Sequence, residues 1–150
     1  MGGTAKDYGE IMKLLLNDAE LKNLLLIPLV DQTNYSKMTT DYFVGTYTSD
    51  TLTVDGICRL LIRSAPQNST NNIFVKENNL LIEIYVPTSK DRLAGFERRI
   101  NQISDRLIVM FHRKLINDRK FHLEASNELQ SSMIGFRRAY VQFSYKRIYS

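Results

Sequence analysis

The side chains that could perform chemistry are few in this sequence and lie far apart along the chain. Cys58 is the single cysteine, and His112 and His122 are the two histidines. One cysteine cannot form an internal disulfide, and this set is too small for a structural zinc site. Neither histidine has an evident serine, cysteine or carboxylate partner for a nucleophilic site. We therefore predict no catalytic, cofactor-binding or metal-binding residues, and no enzymatic activity.

The usual motifs of ligand chemistry are also missing from the sequence. It contains neither a phosphate-binding loop nor a glycine-rich nucleotide fingerprint. The acidic pairs Asp50/Asp55 and Glu77/Glu83 are indistinguishable from ordinary surface residues. Cys58 lies in an apolar pattern and is interpreted as a small buried hydrophobic residue. The longest apolar run, residues 24–30, is far shorter than the roughly 20 residues of a membrane helix, so no membrane partner is expected.

Basic residues concentrate in the second half of the chain. Residues 1–90 contain 8 Lys or Arg against 10 Asp or Glu, whereas residues 91–150 contain 12 against 6. Cations beside Phe136 and Tyr140 resemble the mixture found at single-strand nucleic-acid sites. A solvated helix face with contacts between subunits explains the same charges. The basic candidates are Arg98, Arg99, Arg106, Arg137, Arg138, Lys146 and Arg147.

The elements that must position these residues begin with an N-terminal helix. Leucine and isoleucine recur at three- and four-residue spacings over residues 7–26, which predicts an amphipathic helix. Asn17 and Asp18 can divide it into two helices, the second capped by Asp18. Pro28 ends the segment.

A long loop with one short strand is expected over residues 31–54, because this stretch is rich in turn-forming residues. A loop of this length in a compact domain is usually functional or disordered. Two interpretations of its aromatic residues stay open: they are exposed to a partner, or two of them fill the core. These residues are Tyr35, Tyr42, Phe43 and Tyr47.

The remaining sequence alternates strands with one long helix. Two-residue periods predict a hairpin within residues 57–86 and strands near 121–125 and 135–149. A stripe from Phe96 to Met110 predicts a helix over about residues 90–116 with Ser89 as its N-cap. The result is a single α+β domain over residues 1–150. It has two layers, with both helices packed across a mostly antiparallel sheet of about four to five strands.

Three segments carry a resemblance to a known family. They are LLIEIYVP at residues 80–87, RINQISDRL at 99–107 and GFRRAYVQFSYKRIY at 135–149. Together with the initial helix, they resemble the tail-terminator and tail-completion proteins of tailed bacteriophages. The likeness covers most of the chain in element order and size.

The resemblance implies a structural virion protein that forms a ring of six copies at the head-proximal end of the tail tube. Such a ring ends tube growth and joins the tail to the neck, after assembly in the host cytoplasm. The implied partners are other copies of the chain, the tail tube protein, neck or connector proteins, and DNA passing through the lumen. Two alternatives stay open: a head-completion or connector-adaptor protein, and a basic nucleic-acid-binding adaptor.

Contacts between subunits need extended loops, complementary charge or a free strand edge. The last strand, from Ala139 to Tyr149, is the candidate edge because no predicted element follows it. The residues expected at subunit or partner interfaces are Tyr42, Phe43, Tyr47, Arg98, Arg99, Arg137, Arg138, Tyr140, Lys146 and Arg147.

Overall fold

A computed structural model describes residues 4–45, 56–69, 75–116, 118–130 and 134–148. Within these ranges the chain forms α-helices, strands and one 3₁₀ turn at Leu29–Asp31. The helices are α1 (Thr4–Leu16), α2 (Ala19–Leu24), α3 (Tyr35–Asp41), α4 (Thr88–Asp91) and α5 (Arg99–Phe111). The strands are β1 (Phe43–Val44), β2 (Arg59–Ser69), β3 (Val75–Pro87), β4 (Leu115–Ile116), β5 (Arg119–Leu129) and β6 (Phe136–Ile148).

The strands form one sheet in the order β1-β2-β3-β6-β5-β4. Of the strand pairs in the described ranges, β1–β2 is parallel and the other four are antiparallel. The α+β class and the β2–β3 hairpin are thus confirmed, while the described strands number six instead of four to five. The last strand is not an edge, because β6 pairs with β3 on one side and with β5 on the other. The short strand expected within residues 31–54 is β1, whereas the sequence does not predict β4, because a two-residue strand carries no measurable alternation.

The core lies between one face of the sheet and the layer formed by α1, α2 and α5. Leu80, Ile82, Ile84 and Val86 all point into it, as their alternation predicts. The Phe143 ring lies 5.5 Å from the ring of Phe111 on α5. Val141 and Phe143 of the last strand therefore face the helical layer.

The N-terminal helix is divided where the sequence predicts. Asp18 stands between α1 and α2, and its carboxylate accepts a hydrogen bond of 2.9 Å from the backbone N–H of Leu21. This bond satisfies one of the amides that the start of a helix leaves free. None of the helices in the described part of the chain is long and apolar enough to cross a bilayer.

The predicted bounds of the long helix, residues 90–116, are wrong at both ends, because α5 spans Arg99–Phe111. Residues 92–98 instead form a tight turn, in which the amide of Leu93 donates to the carbonyl of Glu97 at 3.0 Å. Gly95 supplies the positive φ of 73° that this turn needs. Ser89 lies inside α4 and caps nothing. At the other end, Arg113 adopts a φ of 63° and the chain turns into β4.

The segment predicted as a long loop contains α3, whose N-cap is Asn34, followed by β1. Tyr42 and Phe43 are buried in the core and Tyr35 is half exposed. The interpretation in which two aromatics fill the core is therefore confirmed. The predicted loop beyond residue 45 lies outside the described residues until Gly56.

Candidate assembly surface

A buried carboxylate organises the first group of predicted interface arginines. Asp91 is only 3% exposed, and its Oδ2 accepts from Arg98 at 2.8 Å and faces Arg137 at 3.1 Å. Arg98 also forms a bidentate ion pair with Glu128, in which the two N–O distances are 2.7 and 2.8 Å. This bond lowers the pKa of Glu128, and the two carboxylates raise the pKa of Arg98. We call these four residues the Asp91 cluster; it ties the turn at 92–98 to the adjoining ends of β5 and β6.

A second ion cluster lies on the sheet face opposite the helices. Glu83 is 2% exposed, and one of its oxygens accepts from Arg63 at 2.6 Å. The other oxygen accepts from Arg138 Nε at 3.1 Å and also contacts Arg138 Nη2. The cluster therefore joins β2, β3 and β6 by charge as well as by the backbone ladder.

The remaining arginines of α5 hold it against α2. Arg99 donates to the carbonyl of Lys90 at 2.8 Å and to that of Leu24 at 3.1 Å. Arg106 binds the carboxylate of Asp18 at 2.9 and 2.5 Å. The bond from Arg106 lowers the pKa of Asp18.

The structure thus gives most of the predicted interface residues internal partners. Arg98, Arg99 and Arg138 bind groups of their own chain, and Tyr42 and Phe43 lie in the core. Arg137, at 44% side-chain exposure, is the most accessible of the four described arginines. Tyr140 is half buried on β6, opposite Glu83 and Asn127. Tyr47 and the side chains of Lys146 and Arg147 lie outside the described residues.

Large apolar side chains that sequence reasoning did not select are exposed instead. Phe96 and Ile134 are almost completely exposed, and Leu29 and Val30 are each 81% exposed. Leu26 is also partly exposed, with a positive φ of 59°. Two features of the sequence could have identified these exposed residues. One is the apolar run at residues 24–30, which is too short to be a core helix, and the other is Gly95, which precedes Phe96.

The segments that carry these side chains are bonded to one end of the domain, while Leu115, at 73% exposure, lies beside the first residues of β5 at the other end. Arg99 bonds the C-terminal end of α2 to the start of α5, and Leu26, Leu29 and Val30 follow that end. The pair between Arg98 and Glu128 holds the turn that carries Phe96 beside the last residues of β5. The amide of Thr88 donates to the carbonyl of Gly135 at 2.8 Å, which places Ile134 at the same end. We call this end of the molecule the loop end.

Two concave regions are close to the loop end and share no residue. The first, the turn pocket, has a volume of ≈ 240 Å³ and includes Arg92, Phe96 and Arg137 in its lining. The second, the helix groove, measures ≈ 320 Å³ and runs between α2 and α5 past Leu24, Asp105 and Val109. Both are open depressions of the size that a few side chains of another protein can fill.

The residues with catalytic potential have structural roles. The Nδ1 atom of His112 accepts from the backbone N–H of Leu123 at 3.0 Å, so its ring covers part of the exposed edge of β5. His122 meets that ring edge-on, with centroids 6.5 Å apart. Burial raises the pKa of the Cys58 thiol to about 11, which makes it unreactive at neutral pH. Among the described residues no group of three or more metal-binding side chains occurs.

Sequence comparison identifies the family. The profile of the YomW family matches residues 9–146. The chain belongs to the YomW family. The name of this family is of a prophage type, which points to a phage origin. No curated protein matches the sequence. One solved structure, which bears no functional name, matches 89% of this chain and 98% of its own length, at 8% identity and a TM-score of 0.42.

Proposed function

We propose that this YomW-family protein is a structural component of a phage particle, a ring-forming tail terminator at the head-proximal end of the tail tube. Six copies per ring is the number implied by its resemblance to tail-terminator proteins. The ring ends growth of the tube and offers a surface to the neck.

The observation that carries this proposal is the apolar loop end. Monomeric proteins rarely leave large apolar side chains exposed together, and such patches usually mark contacts with other proteins. Phe96, Leu29, Val30 and Ile134 extend from three separate segments that ion pairs and backbone bonds hold at one end. A subunit that must meet both its neighbours and a tube needs such a surface on a rigid support.

The rigidity of that support also suits a building block. The central β3–β6 ladder runs without interruption from Val75↔Ile148 to Pro87↔Phe136. The Asp91 cluster fixes the loop end to this sheet. A ring subunit transmits the position of one neighbour to the next, so it gains from a sheet that does not deform.

The basic residues favour this role over nucleic-acid binding. A protein that binds DNA by charge needs lysine and arginine side chains that are free to contact phosphates. Arg98, Arg106 and Arg138 are committed to carboxylates of the same chain. No observation on the described residues favours the nucleic-acid adaptor as a second candidate.

The test is assembly on tail tubes. Purified protein is mixed with tubes of the phage tail tube protein and imaged by negative-stain electron microscopy, and sedimentation reports the bound fraction. We expect a ring at one end of each tube and no further elongation from that end when fresh subunits are added. Continued elongation at both ends, with the protein left in the supernatant, would overturn the proposal. A variant with Phe96→Asp and Leu29→Asp is expected to fold and to lose tube binding.

A further inference from the structure

The two concave regions beside the loop end have opposite chemistry. We propose that the turn at 92–98 of one copy, with its exposed Arg92 and Phe96, docks into the helix groove of the next copy beside Asp105 and Val109, so that the subunits join head to tail. This inference deepens the proposed ring function and rests on it. The occupant of the groove is a second copy of this chain.

The turn pocket combines an apolar side chain with a free cation. Arg92 is exposed, and no side chain in the described part of the structure forms an ion pair with it. Phe96, four residues later in the same turn, is fully exposed. Arg137 adds a half-exposed cation to the wall, while Asp91 is already occupied by Arg98, Arg137 and the amide of Ile100. The pocket lining has three arginines against two carboxylates.

The helix groove has the reverse combination. Asp105 is exposed on α5 and has no ion-pair partner among the described residues. Val109, one helical turn later, is 58% exposed and lies on the same side of the helix. The groove lining has two carboxylates against one arginine, and that arginine, Arg106, is bound to Asp18 and Glu20.

Each region therefore has an apolar side chain next to a charge that is unpaired among the described residues, and the two charges have opposite signs. Placing Phe96 against Val109 buries both from water, and Arg92 then neutralises Asp105 of the neighbour. Neither region is complementary to itself, because two turn pockets would bring Arg92 against Arg92. A symmetric dimer through either region is thus disfavoured. A contact between different surfaces is the heterologous kind, which generates a ring when the rotation between neighbouring copies closes.

The two regions are separate enough to be used at once. They share no lining residue, since the pocket lies between the turn and the start of β6 while the groove lies between α2 and α5. Neither Arg92 nor Asp105 belongs to the ion clusters that stabilise the fold. Substitutions at these two positions therefore test assembly without removing a contact of the folded chain.

The test is site-specific cross-linking. Arg92→Cys and Asp105→Cys variants are prepared separately, each with the buried Cys58 retained, and oxidised alone and as an equal mixture. We expect a disulfide-linked dimer in the mixture and only background in each variant alone. The double variant is expected to give a ladder of linked chains that ends at the size of a closed ring. A cross-link as strong in either single variant as in the mixture would overturn the head-to-tail contact.

The charges provide a second test that requires no cysteine. Arg92→Glu or Asp105→Arg alone is expected to weaken self-association in sedimentation velocity. The double variant Arg92→Glu with Asp105→Arg is expected to recover it, because the pair is reversed and not removed. Phe96→Ala should weaken association by at least about tenfold, as for a central interface residue. An association unchanged by all three single substitutions would contradict the inference.

The two proposals fail differently. Absence of the mixed cross-link, together with wild-type rings still seen on tail tubes, would reject this interface and leave the proposed function standing. A complete cross-linked ladder from protein that never caps a tube would support the interface and reject the tail-terminator role.

Discussion

The carboxylate of Asp91 caps a helix that begins eight residues after it in the chain. Its Oδ1 atom accepts a hydrogen bond of 2.9 Å from the backbone N–H of Ile100, in the first turn of α5. Arg98, the residue at the N-cap position, makes no side-chain bond to the helix. One buried side chain therefore starts α5, closes the turn at 92–98 and pairs with two arginines.

Asp91→Ala is predicted to lower the free energy of unfolding by about 2 kcal/mol, because it removes the cap of α5 and a buried partner of Arg98 and Arg137, which keep only Glu128. Chemical denaturation followed by circular dichroism measures the loss. Asp105→Ala is the matched control, since the same residue type is exposed on α5 and should change stability by less than about 0.5 kcal/mol. Equal effects of the two substitutions would show that Asp91 does not organise the loop end.

Phe143→Ala is predicted to cost about 3–5 kcal/mol, because it opens a cavity where β6 packs on Phe111 of α5. Phe96→Ala removes the same side chain from a fully exposed position and should cost less than about 0.5 kcal/mol. Thermal and urea unfolding of both variants checks the contrast. A loss well under about 1 kcal/mol for Phe143→Ala would mean that the strand face is assigned incorrectly.

Arg138→Glu is predicted to destabilise the fold severely, because it places a second carboxylate against the buried Glu83. The expected result is a lower midpoint in thermal unfolding and a smaller folded yield. Arg92→Glu makes the same change of charge at an exposed position and should leave the midpoint near that of the wild type. A normal midpoint for Arg138→Glu would indicate that the Glu83 cluster contributes nothing to stability.

The ion pair between Asp18 and Arg106 makes part of the stability dependent on pH. The bond from Arg106 lowers the folded-state pKa of Asp18 from its ordinary value of 3.8. A lowered carboxylate pKa contributes stability above the unfolded-state value, and this contribution is lost as pH falls through the folded value. Arg106→Gln should therefore cost most near neutral pH and progressively less below about pH 4.

Arg99→Gln is the control for this pH dependence. Among the described residues, Arg99 binds only the backbone carbonyls of Lys90 and Leu24, and these do not titrate. The cost of Arg99→Gln should therefore stay constant over the same acidic range. Parallel urea titrations across that range compare the two variants. A cost of Arg106→Gln that is as large in acid as at neutral pH would contradict the role assigned to Asp18.

Local patterns predicted the central strands and the divided N-terminal helix well. The alternation at residues 80–86 identified the buried face of β3, because a half-buried strand must alternate. The prediction of one helix over residues 90–116 is wrong at its start because it relied on the same kind of periodic spacing. Phe96 stands at helical spacing from Ile100, yet Gly95 turns the chain between them and leaves Phe96 in solvent. Periodic spacing indicates which side chains could share one face of a helix, but it does not indicate where the backbone leaves the helix.

The charged residues could not be assigned from the sequence, because their partners are distant along the chain. Arg98 meets Glu128 across 30 residues and Arg106 meets Asp18 across 88. Counting charges reveals a basic second half but not which cations are already paired. The exposed positions Arg92 and Asp105 became distinctive only once the pairs of the other residues were known.

The central claim is that this chain is a ring subunit of a phage tail, and a cryo-electron microscopy map of the assembled particle tests it most directly. We predict one closed ring of this protein, six copies by the family resemblance, between the last layer of the tail tube and the neck. The turn pocket of each copy should face α5 of the next. A complete, infectious particle whose map contains no density for this protein at that junction would contradict the account.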